Sequence, residues 1–184
     1  MTGWELPVEA VIAGKTYQIH GDYRDILEIF SYFQDPDLPE SVKWRIALGL
    51  FFEGEIPQDH WEEAALYLVR FLNGGTEDRS PPRRKLLDWQ QDAALIVADV
   101  NKVAGQEIRA LPFLHWWTFL GYFHAIGEGQ LSAVVAIRDK LSRGKKLEEW
   151  EKDYYRENRK TVELQKRLSR EETRERERIQ ALLQ

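Results

Sequence analysis

Hydrophobic positions along the chain recur with two periods, and the period changes near residue 20. Residues 8–12 and 15–19 are short, partly β-branched runs around Ala13-Gly14, and Tyr17 and Ile19 alternate with Thr16 and Gln18, which predicts a hairpin within residues 1–20. From Asp22, a fair helix N-cap, the period becomes helical: Ile26, Leu27, Ile29, Phe30 and Phe33 share one face. Pro39 opens a second helix to about Phe52, with Trp44, Ala47, Leu48 and Phe51 on its buried side. A third, over 59–72, carries a stripe of Trp61, Ala65, Leu68, Val69 and Leu72 and stops at Asn73-Gly74-Gly75. A fourth is expected over 85–106, with Leu86, Leu87, Trp89, Ala93, Ile96, Val97 and Val100 inward. Residues 131–141 form another, ended or kinked at Arg143-Gly144.

The segment 111–127 differs from all of these. Between Pro112 and Gly127 it has no wide polar face, so a helix there must be wrapped by protein, and it is too short to span a bilayer. Aromatic side chains bury about 150–250 Å² each, which makes this stretch the expected centre of the core. The fold class that follows is mainly α: five or six packed helices with an N-terminal β-hairpin and a projecting charged C-terminal helix. Two parts are expected, a helical domain over 1–144 and a charged helical extension over 145–184. Residues 76–84, rich in Pro and charge, are the expected mobile loop.

Charge sharpens the second boundary. Residues 138–184 carry 15 Lys/Arg against 11 Asp/Glu, which leaves −9 for residues 1–137 out of the chain's −5. An acidic body with a charge-dense tail suggests different partners for each, although a solvated helix of intermixed charges is the favoured reading of the tail. The chain has no cysteine, which excludes a disulfide framework and thiol catalysis and fits an intracellular protein. Its first residues lack a basic start followed by an apolar run, so no secretory leader is expected.

Candidate chemistry is sparse. Asp88, Asp92 and Asp99 would share one face of a helix over 85–106, which reads first as the wet face of an amphipathic helix, next as an ion-pair face within the fold or to a partner, and least as a metal site. His115 and His124 are nine apart, a poor spacing for metal ligands, and read as half-buried, hydrogen-bonded rings; His20 and His60 stand alone. Arg138, Lys140, Arg143, Lys145 and Lys146 form the one basic cluster that could meet phosphates, but the acidic body would repel a duplex, so nucleic acid is the weaker reading. No Gly-rich phosphate loop, nucleophile elbow or His-Glu-x-x-His motif occurs. Neither an enzyme nor a cofactor nor a metal is expected. His115, Trp116, Trp117, Phe119 and Phe123 are the candidate core or partner-binding anchors.

Four stretches together resemble the bacteriophage Gp15 family, found in phages and prophages of Gram-positive bacteria. They are the Ala-Gly-Lys-Thr-Tyr-Gln-Ile hairpin with Asp22-Tyr23-Arg24, Leu87-Asp88-Trp89 with residues 92–96, the Leu114-His115-Trp116-Trp117-Thr118-Phe119 segment, and Ile137-Arg138. The resemblance spans roughly residues 8–160 and is most specific at His-Trp-Trp. It implies a place in the tail-morphogenesis module and a non-catalytic tail assembly chaperone. Such a protein would hold the tape-measure protein, with tail-tube protein as a further partner, as a homo-oligomer in the host cytoplasm, away from membranes, and would be absent from the mature virion. The alternative is a structural virion or connector component, or another helical adaptor.

Overall fold

The computed structural model describes residues 4–76 and 84–182, with the side chain of Leu182 excepted. Most of the expected mobile loop, residues 77–83, therefore lies outside the described residues. The fold is mainly α with one N-terminal hairpin: among the described residues there are nine α-helices, two 3-10 turns and two strands. The chain forms two compact units, Pro7–His20, Arg24–Leu68 and Lys166–Gln184 in one, and Met1–Leu6, Gly21–Tyr23 and Val69–Gln165 in the other.

In the hairpin unit, β1 (Glu9–Ile12) pairs antiparallel with β2 (Lys15–Gln18) in the register Ala10 to Tyr17 and Ile12 to Lys15. Both turn residues have positive φ, 48° at Ala13 and 78° at Gly14, the mirror-image turn that matches strand twist. The hairpin is not left to water. Past β2, Ile19 bridges Phe52, and the Tyr17 and Phe52 rings meet edge to face. Two outward groups of the β1 edge are taken by side chains of α3 (Trp61–Leu72): the Tyr67 hydroxyl donates to Glu9 O at 3.1 Å and the Glu63 carboxylate accepts the Ala13 N–H. An edge covered in this way offers little to an added strand.

α1 (Tyr23–Phe33) and α2 (Glu40–Phe51) are joined by a turn in which Asp35 accepts the Asp37 N–H, and Phe33 meets Trp44 edge to face at 4.8 Å. Ile26, Ile29, Ala47, Leu48 and Phe51 are buried between elements of this unit. The buried stripe of α3 is Ala64, Leu68 and Phe71, not the expected Ala65 and Val69; Val69 is exposed. The run Ala-Ala-Leu-Tyr-Leu-Val-Arg-Phe-Leu is apolar on more than one side, so periodicity alone could not place the inner face.

The other unit holds α4 (Ala93–Ala104), α5 (Trp116–His124), α6 (Gln130–Ser142), α7 (Glu149–Glu157) and α8 (Arg159–Val162). Two helices are shorter than expected, for identifiable reasons. α4 starts at Ala93 rather than near Lys85, because the Asp88 carboxylate takes the N–H groups of Gln90 and Gln91 and Asp92 takes that of Asp88, an arrangement that competes with helical bonding. α5 starts at Trp116 rather than near Pro112, because His115 is paired with Asp22 in a short antiparallel bridge and the Leu114 carbonyl accepts the Tyr23 N–H. Residues 145–165, expected as the start of the extension, belong to this unit: Val162 at the end of α8 packs with Val134 and Ile137 of α6, flanked by Leu95, Leu147, Tyr154 and Tyr155.

The last helix, α9 (Arg170–Leu182), belongs to the hairpin unit. It opens with a reciprocal cap, Ser169 Oγ accepting the Glu172 N–H and Glu172 accepting the Ser169 N–H, and Arg170 meets Asp37 through its N–H at 2.9 Å. Residues 170–181 are exposed on every side.

Candidate functional site

The Leu114-His115-Trp116-Trp117 segment is a junction of backbone and aromatic contacts. Tyr23 N–H donates to Leu114 O at 2.9 Å, Trp116 N–H donates to Gly21 O at 2.7 Å, and the buried Asp22 carboxylate accepts the Leu114 N–H at 2.9 Å. The His115 side chain is the N-cap of α5: Nδ1 accepts the Trp117 N–H at 3.1 Å, which in the neutral ring leaves the proton on Nε2.

The paired tryptophans have one shared task. Trp116 Nε1 donates to Leu72 O at 3.0 Å and Trp117 Nε1 donates to Phe71 O at 2.9 Å. Those two carbonyls end α3, where a helix has acceptors without intrahelical donors. Two adjacent indoles thus cap the helix while their rings pack. Trp116 stacks on Phe119 at 5.4 Å, Phe119 stacks on Tyr23 at 5.0 Å, and Trp89 closes on Trp116 and Phe123. A Cβ on Gly75 would come within 2.7 Å of the Trp117 ring, and Gly75 has φ +84°, so this glycine is required on two counts.

Of the candidate anchors, His115, Trp116 and Phe119 are buried, and Trp117 and Phe123 are half-buried. Phe113, which immediately precedes this segment, is 57% exposed. Sequence reasoning passed over Phe71 and marked Gly75 only as part of a helix stop; no local pattern shows that both complete the junction, because their partner Trp117 is more than forty residues away in sequence.

The acidic and basic candidates meet one another. Asp92 is the N-cap residue of α4 and is buried with Arg138 of α6. Arg138 uses all five of its N–H donors: two on Asp92, at 2.7 and 2.8 Å, and one each on the carbonyls of Leu86, Thr161 and Val162. Gln91 extends the same anchorage, donating to Glu163 O at 2.8 Å and accepting the Gln165 N–H at 2.9 Å. The sequence signal for a buried arginine was present: Arg138 is seven after Leu131 and four after Val134, on the apolar stripe of its helix.

Asp88 is buried beside Lys85, 2.7 Å away. Burial works to raise its pKa, but the Gln91 N–H, the Lys85 ammonium and the Gln90 N–H outweigh it and hold the carboxyl well below the usual carboxylate range. Among the described residues Asp99 makes no ion pair. Its Oδ2 accepts the Leu131 N–H at 3.2 Å and so caps α6 from a neighbouring helix. Asp88 and Asp92 precede α4, so the three aspartates do not line one helix face.

The remaining bases separate by their partners. Lys140 is 2.7 Å from Glu151, whose carboxyl is held below its ordinary pKa chiefly by that lysine, and Arg143 is 2.8 Å from Asp139. Lys145 and Lys146 are exposed and make no ion pair among the described residues. Among the described residues no group of three or more His, Asp or Glu could hold a metal ion, and no helix is long and apolar enough to cross a membrane.

The family model described as Bacteriophage Gp15 protein matches residues 5–164, which include the hairpin, the His-Trp-Trp junction and the Arg138 anchorage. No curated protein and no solved structure matches the chain.

Proposed function

The chain belongs to the bacteriophage Gp15 family, and from that membership we propose that it is a non-catalytic tail assembly chaperone that binds the tape-measure protein during tail morphogenesis. The observation that carries this reading is the family match over residues 5–164, most of the chain. A long amphipathic helical partner is held soluble by repeated modest apolar contacts from many copies rather than by one deep pocket. Phe113 supports such a role, because it projects from the junction while its neighbours Leu114 and Trp116 are core. α9 also supports it: it lies beyond the matched residues, carries its own cap and is exposed around its circumference. In this reading several copies coat the tape measure in the host cytoplasm, tail-tube subunits displace them, and none remains in the finished virion.

Co-expression with the tape-measure protein, followed by size-exclusion chromatography with light scattering, tests this directly. The expected result is a tape measure that stays soluble only with this protein present, in a complex of many copies. Failure to associate, together with recovery of the protein from purified virions, would replace the chaperone with a structural component of the particle.

A further inference from the structure

Two faces of the chain, each described within its own unit, are complementary in charge, and each carries an exposed apolar side chain. The first is where α6 ends and α7 begins. Lys140 bonds Glu151 at 2.7 Å and pins the start of α7 to the end of α6. Leu141 and Trp150, each one residue from a pinned side chain, are 40% and 56% exposed. Between them Arg143, Lys145, Lys146, Glu148 and Glu149 are exposed; Glu148 lies 4.0 Å from Lys140 and Glu149 2.9 Å from Lys152, whereas Lys145 and Lys146 have no ionic partner among the described residues. A tryptophan with accessible lysines close by in sequence is the kind of aromatic anchor on which protein interfaces centre.

The second face is in the hairpin unit. Between Arg45 and Arg70 the chain has five carboxylates and no Lys or Arg. Glu53, Glu55, Asp59 and Glu62 are exposed; Asp59 reaches only its neighbour His60, and the other three make no ion pair among the described residues. Leu66, one turn after Glu62 on the same side of α3, is 65% exposed.

We propose that the Trp150 and Lys145/Lys146 face docks onto the Glu53–Glu62 and Leu66 face of a second copy of this chain. A second copy is favoured over another partner because both halves of the contact, opposite in charge and each with an apolar anchor, are present on this one sequence. The contact joins unlike faces, so it is heterologous and can repeat from copy to copy. Repetition of this kind would supply the many-copy assembly of the reading above, which this inference deepens.

The test uses the full-length protein alone, so its outcome is independent of tape-measure binding. Light scattering after size exclusion should give a mass above the monomer at low ionic strength and a loss of the heavier species at high ionic strength, where exposed charges are screened. K145E/K146E and E53K/E55K should each be monomeric at low ionic strength with unchanged circular dichroism. Mixed in equal amounts they should restore the heavier species, because their altered faces are again complementary. Trp150→Ala should also give monomer. A wild-type monomer at every ionic strength, a heavier species that the charge reversals leave intact, or a mixture that stays monomeric would each overturn the proposal.

Discussion

Asp92 and Arg138 form a bidentate pair with both side chains sealed from solvent, Nη1 to Oδ2 at 2.7 Å and Nη2 to Oδ1 at 2.8 Å. The remaining three guanidinium donors go to backbone carbonyls, two of them at the end of α8. One residue of the sequence's basic cluster therefore fastens α6 to the turn before α4 and to the segment that closes the unit.

Arg138→Met should destabilise the protein by about 3–5 kcal/mol, because it leaves Asp92 as a buried charge with one fewer partner, takes a donor from the Leu86 and Val162 carbonyls and leaves Thr161 O only a long bond from Gln91. The double variant D92L/R138M should recover much of that loss, since two apolar groups need no partner. Urea unfolding gives both values. A cost below about 1 kcal/mol for Arg138→Met would contradict a sealed ion pair. Amide hydrogen exchange should also rise in residues 159–162 before it rises in the middle of α6.

The two indoles separate packing from hydrogen bonding. Trp116→Ala should cost about 3–5 kcal/mol, as expected for a fully buried ring. Trp116→Phe keeps an aromatic ring but leaves the Leu72 carbonyl without its donor, and should cost nearer 1 kcal/mol beyond the small loss of area. Gly75→Ala, which forces a side chain against Trp117, should destabilise in the same direction. Equal effects of Trp116→Ala and Trp116→Phe in denaturant unfolding would mean that the hydrogen bond, not the ring, dominates.

Element type was readable where one face alone was apolar. The hairpin, α1 and α2 fall within a residue or so of expectation, because Ala13-Gly14 and Pro39 mark their ends and their stripes are narrow. Expectation failed where polar side chains bond the backbone at a distance or locally. Asp88 and Asp92 look like helix-face residues until their carboxylates are seen taking N–H groups, and Leu114 looks helical until Asp22 takes its N–H. Burial of Arg138 was marked by its place on an apolar stripe, but its partner, forty-six residues away, was not.

Ala13 is the one described non-glycine residue with positive φ, and an L side chain in that region costs about 1–2 kcal/mol. Glycine there removes the strain but adds freedom to the unfolded chain, an opposing cost of about 0.5–1 kcal/mol. Ala13→Gly should therefore raise stability by about 0.5–1 kcal/mol, read as a higher urea midpoint with an unchanged slope. A lower midpoint would show that the turn, tied to Glu63, holds Ala13 without strain.

Asp88 should make stability depend on pH in a definite direction. Its carboxyl in the folded protein titrates well below the value of about 3.9 expected in the unfolded chain, because the N–H groups of Gln91 and Gln90 and the Lys85 ammonium outweigh burial. A depressed folded-state pKa means that the unfolded chain binds the proton first as pH falls. The contribution is thus fully present well above about pH 4 and is lost progressively below it. Asp88→Asn keeps one acceptor oxygen but no charge, so it should lower stability at neutral pH and flatten the fall in urea midpoint on acidification. Lys85→Met should reproduce part of that flattening by removing the ammonium bonded to the carboxylate. If Asp88→Asn loses stability with the same acid slope as the parent, another carboxylate carries the dependence; Glu107, lowered to about 2 mainly by Arg109, is the next to replace.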